Sequence, residues 1–126
     1  MSDFRGDNWQ SIAIESDTDD AYVEGTLRIE DVVEGETVRV FHPRHKPFGD
    51  PVTGTISGIG KDVINFTITL GNGTMRDYEG KLQVRPDDPT DPAFGFIKYL
   101  IIGKYKLHTA SVAGDDGGWV ATRPPG

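Results

Sequence analysis

Between Val63 and Val84 the chain alternates. Ile64, Phe66, Ile68 and Leu70 take every second position, with Asn65, Thr67 and Thr69 between them. A period of two sends one set to one face of a strand and the other set to the opposite face. Gly71-Asn72-Gly73 follows, and these residues tolerate the positive φ of a tight turn. The pattern predicts a half-buried antiparallel hairpin, with Tyr78, Leu82 and Val84 completing its second strand and Arg85-Pro86 ending it. The same rhythm recurs upstream. Val23, Leu27 and Ile29 share one parity, and Glu24, Thr26, Arg28 and Glu30 the other. From Thr37 to His42, Val38 and Val40 are expected to point inward, Arg39 and Phe41 outward. Val52 to Ile59 makes another strand, with Gly54 and Gly58 as bend points.

The gaps between strands read as turns. Pro43, Pro47, Gly49 and Pro51 fall so close together that the stretch around residues 42–50 is a loop, since such residues do not sit inside a sheet. Residues 1–20 read as an acidic arm whose sizeable apolar groups are Trp9, Ile12 and Ile14. A short edge strand, or one that pairs only with a partner, accounts for them. Residues 21–86 are the β core and 87–93 a linker. For residues 94–126 two readings stand. Asp91, Pro92 and Gly103 would frame a helix. Phe96, Ile97, Tyr99, Ile101, Ile102 and Tyr105 are strand formers, and Gly103-Lys104 is a two-residue turn, which favours a hairpin and tail.

Composition agrees with an all-β chain. Its 126 residues suit one domain, and 16 glycines with 8 prolines favour short strands over long helices. There is no cysteine, hence no disulfide or thiolate site. No run of apolar residues is long enough to span a bilayer, and the N-terminus lacks a signal-peptide pattern. The expected setting is the cytoplasm, or a particle assembled there, with no membrane contact. The net charge of −7 is uneven, for residues 1–36 hold eleven carboxylates against Arg5 and Arg28. Such a segment repels a phosphate backbone and suits either solvent or a basic protein surface.

Residues 35–86 carry a further pattern. Gly-Glu-Thr-Val-Arg-Val leads into a long polar loop. Val-Thr-Gly-Thr-Ile-Ser-Gly-Ile follows, then Thr-Leu-Gly-Asn-Gly-Thr and Tyr-Glu-Gly-Lys-Leu-Gln-Val-Arg-Pro. This resembles the SH3-like small barrels, in particular the Tudor, agenet and KOW group. Independently of that likeness, five short strands with one apolar face each can bury it by curling into a barrel. The resemblance implies a binding surface between the long loop and the hairpin tips, which here means Phe41, Arg44, His45, Phe48, Tyr78 and the Gly71-Asn72-Gly73 tip. An aromatic cage for a methylated side chain would draw on Phe41, Phe48 and Tyr78.

The remaining chemistry is sparse. His42 and His45 with Asp50 do not make a zinc set, which needs three or four preorganised ligands. The glycines before Lys61 lack phosphate-loop spacing. Carboxylate pairs sit in turn-like surroundings, with no indication of burial to tune them. No enzyme and no cofactor is expected. The leading expectation is a structural or assembly module that docks to protein subunits of a larger assembly, such as an accessory subunit of a virus or phage particle. Its anchors would be Trp9, Ile12 and Ile14, adding a strand to a partner sheet. The alternatives are a barrel that reads nucleic acid or a modified peptide through Arg44 and Phe48, and an acidic inhibitor that mimics nucleic acid. Nucleic acid is the less favoured partner.

Overall fold

A computed structural model describes residues 4–15, 20–33, 37–47, 49–71, 73–84, 98–107 and 116–123. They form eight strands: β1 (Gly6–Glu15), β2 (Ala21–Val33), β3 (Thr37–Phe41), β4 (Val52–Ser57), β5 (Val63–Thr69), β6 (Met75–Val84), β7 (Tyr99–Leu107) and β8 (Asp116–Arg123). Each strand runs antiparallel to the next, and β8 returns to pair with β1, so the sheet closes on itself. Among the described residues there is no helix.

Alternation works as expected through the middle of the chain. Val38, Val40, Ile64, Phe66, Ile68 and Tyr78 all face inward and are buried. Closure, however, takes eight strands. Residues expected to form a barrel by themselves supply β3 to β6, half of its circumference. At eight strands a barrel has an interior just wide enough for side chains to fill. Here Phe66 and Tyr78 stack at 5.0 Å, and Trp119 stands edge-on to both at 5.4 and 5.3 Å. Gly80 makes room for that indole, since a Cβ there would strike Ile101 and the Trp119 ring.

Three expectations about the ends are corrected. The first 20 residues contribute not a loose arm but the strand β1, paired with β2 on one side and β8 on the other. Trp9 is buried, and its indole N–H donates to the Phe4 carbonyl at 2.8 Å. From Gln10 to Glu15, the part that carries Ile12 and Ile14, β1 is paired on both sides and has no edge for strand addition to a partner. Third, β7 runs straight through Gly103-Lys104 without turning. Gly103 is there because a Cβ would collide with the Glu79 carbonyl of β6. Residues 87–93 and the stretch 94–97 lie outside the described residues.

The two barrel ends are plugged differently. At one end the Arg123 guanidinium lies 3.9 Å over the Tyr99 ring and 5.1 Å from that of Trp9. At the other, the loop after β3 folds inward and is tied to β5. Lys46 N–H donates to the Thr69 carbonyl at 2.8 Å, and Thr69 N–H donates to His45 Nδ1 at 3.0 Å.

Candidate functional site

Strict alternation from Leu27 and Ile29 would point Val23 inward and Glu24 outward. The structure has the reverse. The β1–β2 register slips between Ser11↔Gly25 and Ile12↔Val23, leaving Glu24 as an extra residue on β2. Gly25 takes φ +132°, which L side chains rarely adopt. A bulge of this kind re-aims the side chains on either side of it. Glu24 is thereby turned into the barrel, and Val23 is turned out, 62% exposed.

Inside the loop-bearing end, Glu24 is the centre of a polar cluster. Ser11 donates to Oε1 at 2.8 Å and Tyr78 donates to Oε2 at 2.6 Å. Trp119 N–H donates in turn to Ser11 Oγ at 2.9 Å. Arg76 Nη1 lies 3.6 Å from Oε2, and its guanidinium sits 4.4 Å over the Tyr105 ring. His42 Nε2 lies 3.4 Å from Oε1, without the alignment of a hydrogen bond. Its Nδ1 accepts from Arg44 N–H at 3.1 Å, which makes the neutral ring the Nε2–H tautomer. Arg44 Nη1 reaches the Tyr22 hydroxyl at 3.1 Å on the rim. A hollow of about 510 Å³ opens beside the cluster, lined by Glu15, Tyr22, Val23, Glu24, Arg44 and Arg76.

The electrostatics fix the state of each group. Burial pushes Glu24 up, but attraction from His42 and the bonds from Tyr78 and Ser11 outweigh it, leaving the carboxyl below its ordinary value. Burial lowers His42, and Arg44 and Arg76 lower it further against the pull of Glu24. Burial and the Glu24 charge raise Tyr78. At neutral pH the cluster is thus an ionised carboxylate, a neutral imidazole, a protonated phenol and a guanidinium. Every oxygen of Glu24 already holds a donor, so the arrangement locks the bulge and the loop in place.

On the outside, the bulge completes a second feature. Val23 lies opposite Ile12, Ile12 opposite Val120, and Val120 opposite Ile102. Four branched apolar side chains therefore run in one row across β2, β1, β8 and β7. Ile102 is 50% exposed, and Ile12 and Val120 are half-buried. Ile14 and Leu100 flank the row on opposite sides, and Gly118 leaves the wall flat beside Ile14. The outer wall across β4 to β7 is different. Thr53, Thr55, Asn65, Thr67, Asp77 and Glu79 line it, with Lys104 and Lys106, around a hollow of about 640 Å³.

The residues singled out from sequence are scattered over these features. Trp9 belongs to the core, while Ile12 and Ile14 sit on the apolar wall. Arg44, His45 and Tyr78 gather at the loop-bearing end, where His45 and Tyr78 are buried. Phe41 lies at the end of β3 with the Arg28 guanidinium 4.0 Å over its ring. Phe48 and Asn72 lie outside the described residues. The two loop histidines are buried acceptors of backbone N–H groups, and His42 packs against Tyr78 at 5.0 Å. Glu24, Arg76, Val23, Val120 and Ile102 were not among the candidates. The signal for the first was Gly25, an isolated glycine inside a strand pattern, which marks a bulge. Comparison with protein families, with curated proteins and with solved structures finds no match to this chain.

Proposed function

We propose that the chain is a non-catalytic structural module that assembles with protein subunits through the outer wall of β2, β1, β8 and β7. The setting it suits is that of an accessory subunit in a larger assembly, such as a virus or phage particle. One observation carries the reading: the unbroken row Val23, Ile12, Val120 and Ile102 on the outside of a closed sheet. Contiguous apolar surface of this kind marks interaction sites on soluble proteins. Contact is by side chains, because β1 and β8 have partners along both edges. The test is the light-scattering mass of the chain with and without the other proteins of its source. The wild type should gain mass with them, Ile12→Asp and Ile102→Asp should not, and Thr55→Asp on the polar wall should behave as wild type. Equal gains in all four proteins, or no gain in any, would sink the reading.

A second reading has one observation of its own. Tyr22, Arg44 and Arg76 converge on the hollow at the loop-bearing end, in line with the likeness of residues 35–86 to SH3-like ligand-reading barrels. It predicts that Arg44→Ala abolishes binding of a peptide or nucleic-acid ligand while leaving wall-dependent assembly intact, and nuclear magnetic resonance titration distinguishes the two.

A further inference from the structure

At the loop-bearing end, two histidines hold the chain as hydrogen-bond acceptors. His42 is the first residue past the last β3 pair, Arg28↔Phe41, and its side chain is fully buried. Its Nδ1 accepts from Arg44 N–H at 3.1 Å, and its carbonyl accepts from His45 N–H at 3.2 Å, so the chain curls around it. Thr69 N–H then donates to His45 Nδ1 at 3.0 Å, and Lys46 N–H donates to the Thr69 carbonyl at 2.8 Å. Residues 42–46 are thus held at two points, a buried imidazole and the end of β5. His42 belongs to neither ladder of β3, so moving it breaks no strand pairing.

The groups around that ring decide what a proton does there. From β2, the Glu24 carboxylate lies 3.4 Å from Nε2 and favours a charged ring. From β6, Arg76 opposes it, and Arg44 opposes it from the loop itself. The other neighbours are the protonated Tyr78 phenol of β6 at 5.0 Å and the Phe66 ring of β5 at 6.0 Å. A proton from solvent adds at Nδ1, the nitrogen that carries no hydrogen. Nδ1 then becomes a donor facing the Arg44 N–H, and the bond that curls the chain is lost. Burial and the two arginines keep the folded His42 below its ordinary 6.5, whereas a released ring titrates as it does in water. Release is therefore favoured as the pH falls below 6.5 and reversed above it.

We propose that His42 is a proton-operated latch: a proton on its imidazole frees the loop of residues 42–47 and opens one end of the barrel while the strands stay paired. Opening bares the inner rings of Tyr78 and Phe66 and the Glu24 carboxylate to solvent. It also draws Arg44 away from the Tyr22 hydroxyl, which its guanidinium reaches at 3.1 Å on the rim. The latch does not depend on the apolar wall, and either can fail without the other.

Amide hydrogen exchange of the full chain, followed by nuclear magnetic resonance from about pH 7.5 to about pH 5, tests this. The range stays above the ordinary 4.5 of Glu24, so that carboxyl keeps its charge. Protection of the Lys46 and Thr69 amides, corrected for the intrinsic rate, should fall by up to about tenfold for each pH unit below 6.5. Low urea should leave that protection unchanged, because opening a loop exposes little surface and unfolding exposes much. His42→Gln, whose amide accepts a hydrogen bond but takes no proton, should show no such fall. The wild-type His42 ring resonances should titrate in step with the loss, and they carry the test if His42→Gln does not fold. Protection that falls equally in His42→Gln, or that falls only through urea-sensitive unfolding of the whole barrel, overturns the inference. A ring that takes up its proton while Lys46 stays protected overturns it as well.

Discussion

Across β4, β5 and β6 the outward residues around the hollow are threonine, asparagine, aspartate and glutamate, whereas the centre of the wall across β2, β1 and β8 shows Val23, Ile12, Ile14, Val120 and Gly118. Both walls are antiparallel, both are paired throughout, and both cover the same core. The side chains of the polar wall can bond to water or to a neighbour across the strands, as Thr67 does with Asp77. On the apolar wall water has nothing to bond, and contact with it is unfavourable by about 25 cal/mol for each Å² exposed. The difference teaches that fold and exposure are separate variables here. The backbone specifies a barrel, and one bulge at Gly25 decides which groups of β2 are shown and which are hidden.

The sharpest way to break this comparison is to remove the hidden group. Glu24→Ala removes the buried carboxylate that faces Arg76 and accepts from the Tyr78 hydroxyl, and should destabilise the fold by about 3–5 kcal/mol in urea titration. A loss under about 1 kcal/mol would mean that the cluster is not what holds the bulge. Trp9→Ala, which hollows the core rather than the wall, should cost a similar amount, about 3–5 kcal/mol. Were its stability unchanged while association failed, Trp9 would belong outside after all. Gly25→Ala forces a side chain into positive φ and against Pro43, and should cost about 1–3 kcal/mol. Its Val23 should also become less accessible, as read by hydrogen exchange along β2.

Acid should act on the hidden region alone. The folded value of His42 lies below its ordinary 6.5, so the unfolded chain takes up a proton first and stability falls as the pH drops below that point. Glu24 is also depressed from its ordinary 4.5, and its contribution, present above that value, is lost on further acidification through the folded one. Urea midpoints across this range should decline in two stages, and His42→Gln should flatten the upper one. A profile unaltered by His42→Gln would contradict the assignment. The smallest effects belong to the surfaces. Thr67→Ala should shift stability by no more than about 1 kcal/mol, and Ile102→Ser by about 0.5 kcal/mol or less. A large loss from either would show that its wall is part of the folding core.

The middle of the chain was legible because nothing there interrupts the alternation: Ile64, Phe66 and Ile68 point where a period of two sends them. β1 was obscured by an inverted pattern. Its inward residues are Trp9, Ser11 and Ala13, two of them small because Trp9 and Trp119 fill the space, while Ile12 and Ile14 face out. The acidic composition nearby made that stretch look like solvent. In β7, Gly103-Lys104 has the chemistry of a turn, yet the glycine answers to the backbone of β6 alongside. The pairing of β8 with β1 joins residues more than a hundred positions apart, and no local pattern encodes such a contact. The buried cluster was hidden for the same reason, since Ser11, Glu24, His42, Tyr78 and Trp119 meet only once the sheet has closed.

That same closing seam has a practical side. Gly6 and Arg123 sit side by side, close enough that a Cβ on the glycine would touch the arginine stem at 2.6 Å. A short peptide splice between these two positions would leave every stave in place. The barrel could then be cut at the β5–β6 tip instead and the chain read from a new starting residue, giving a rearranged gene for the same cylinder.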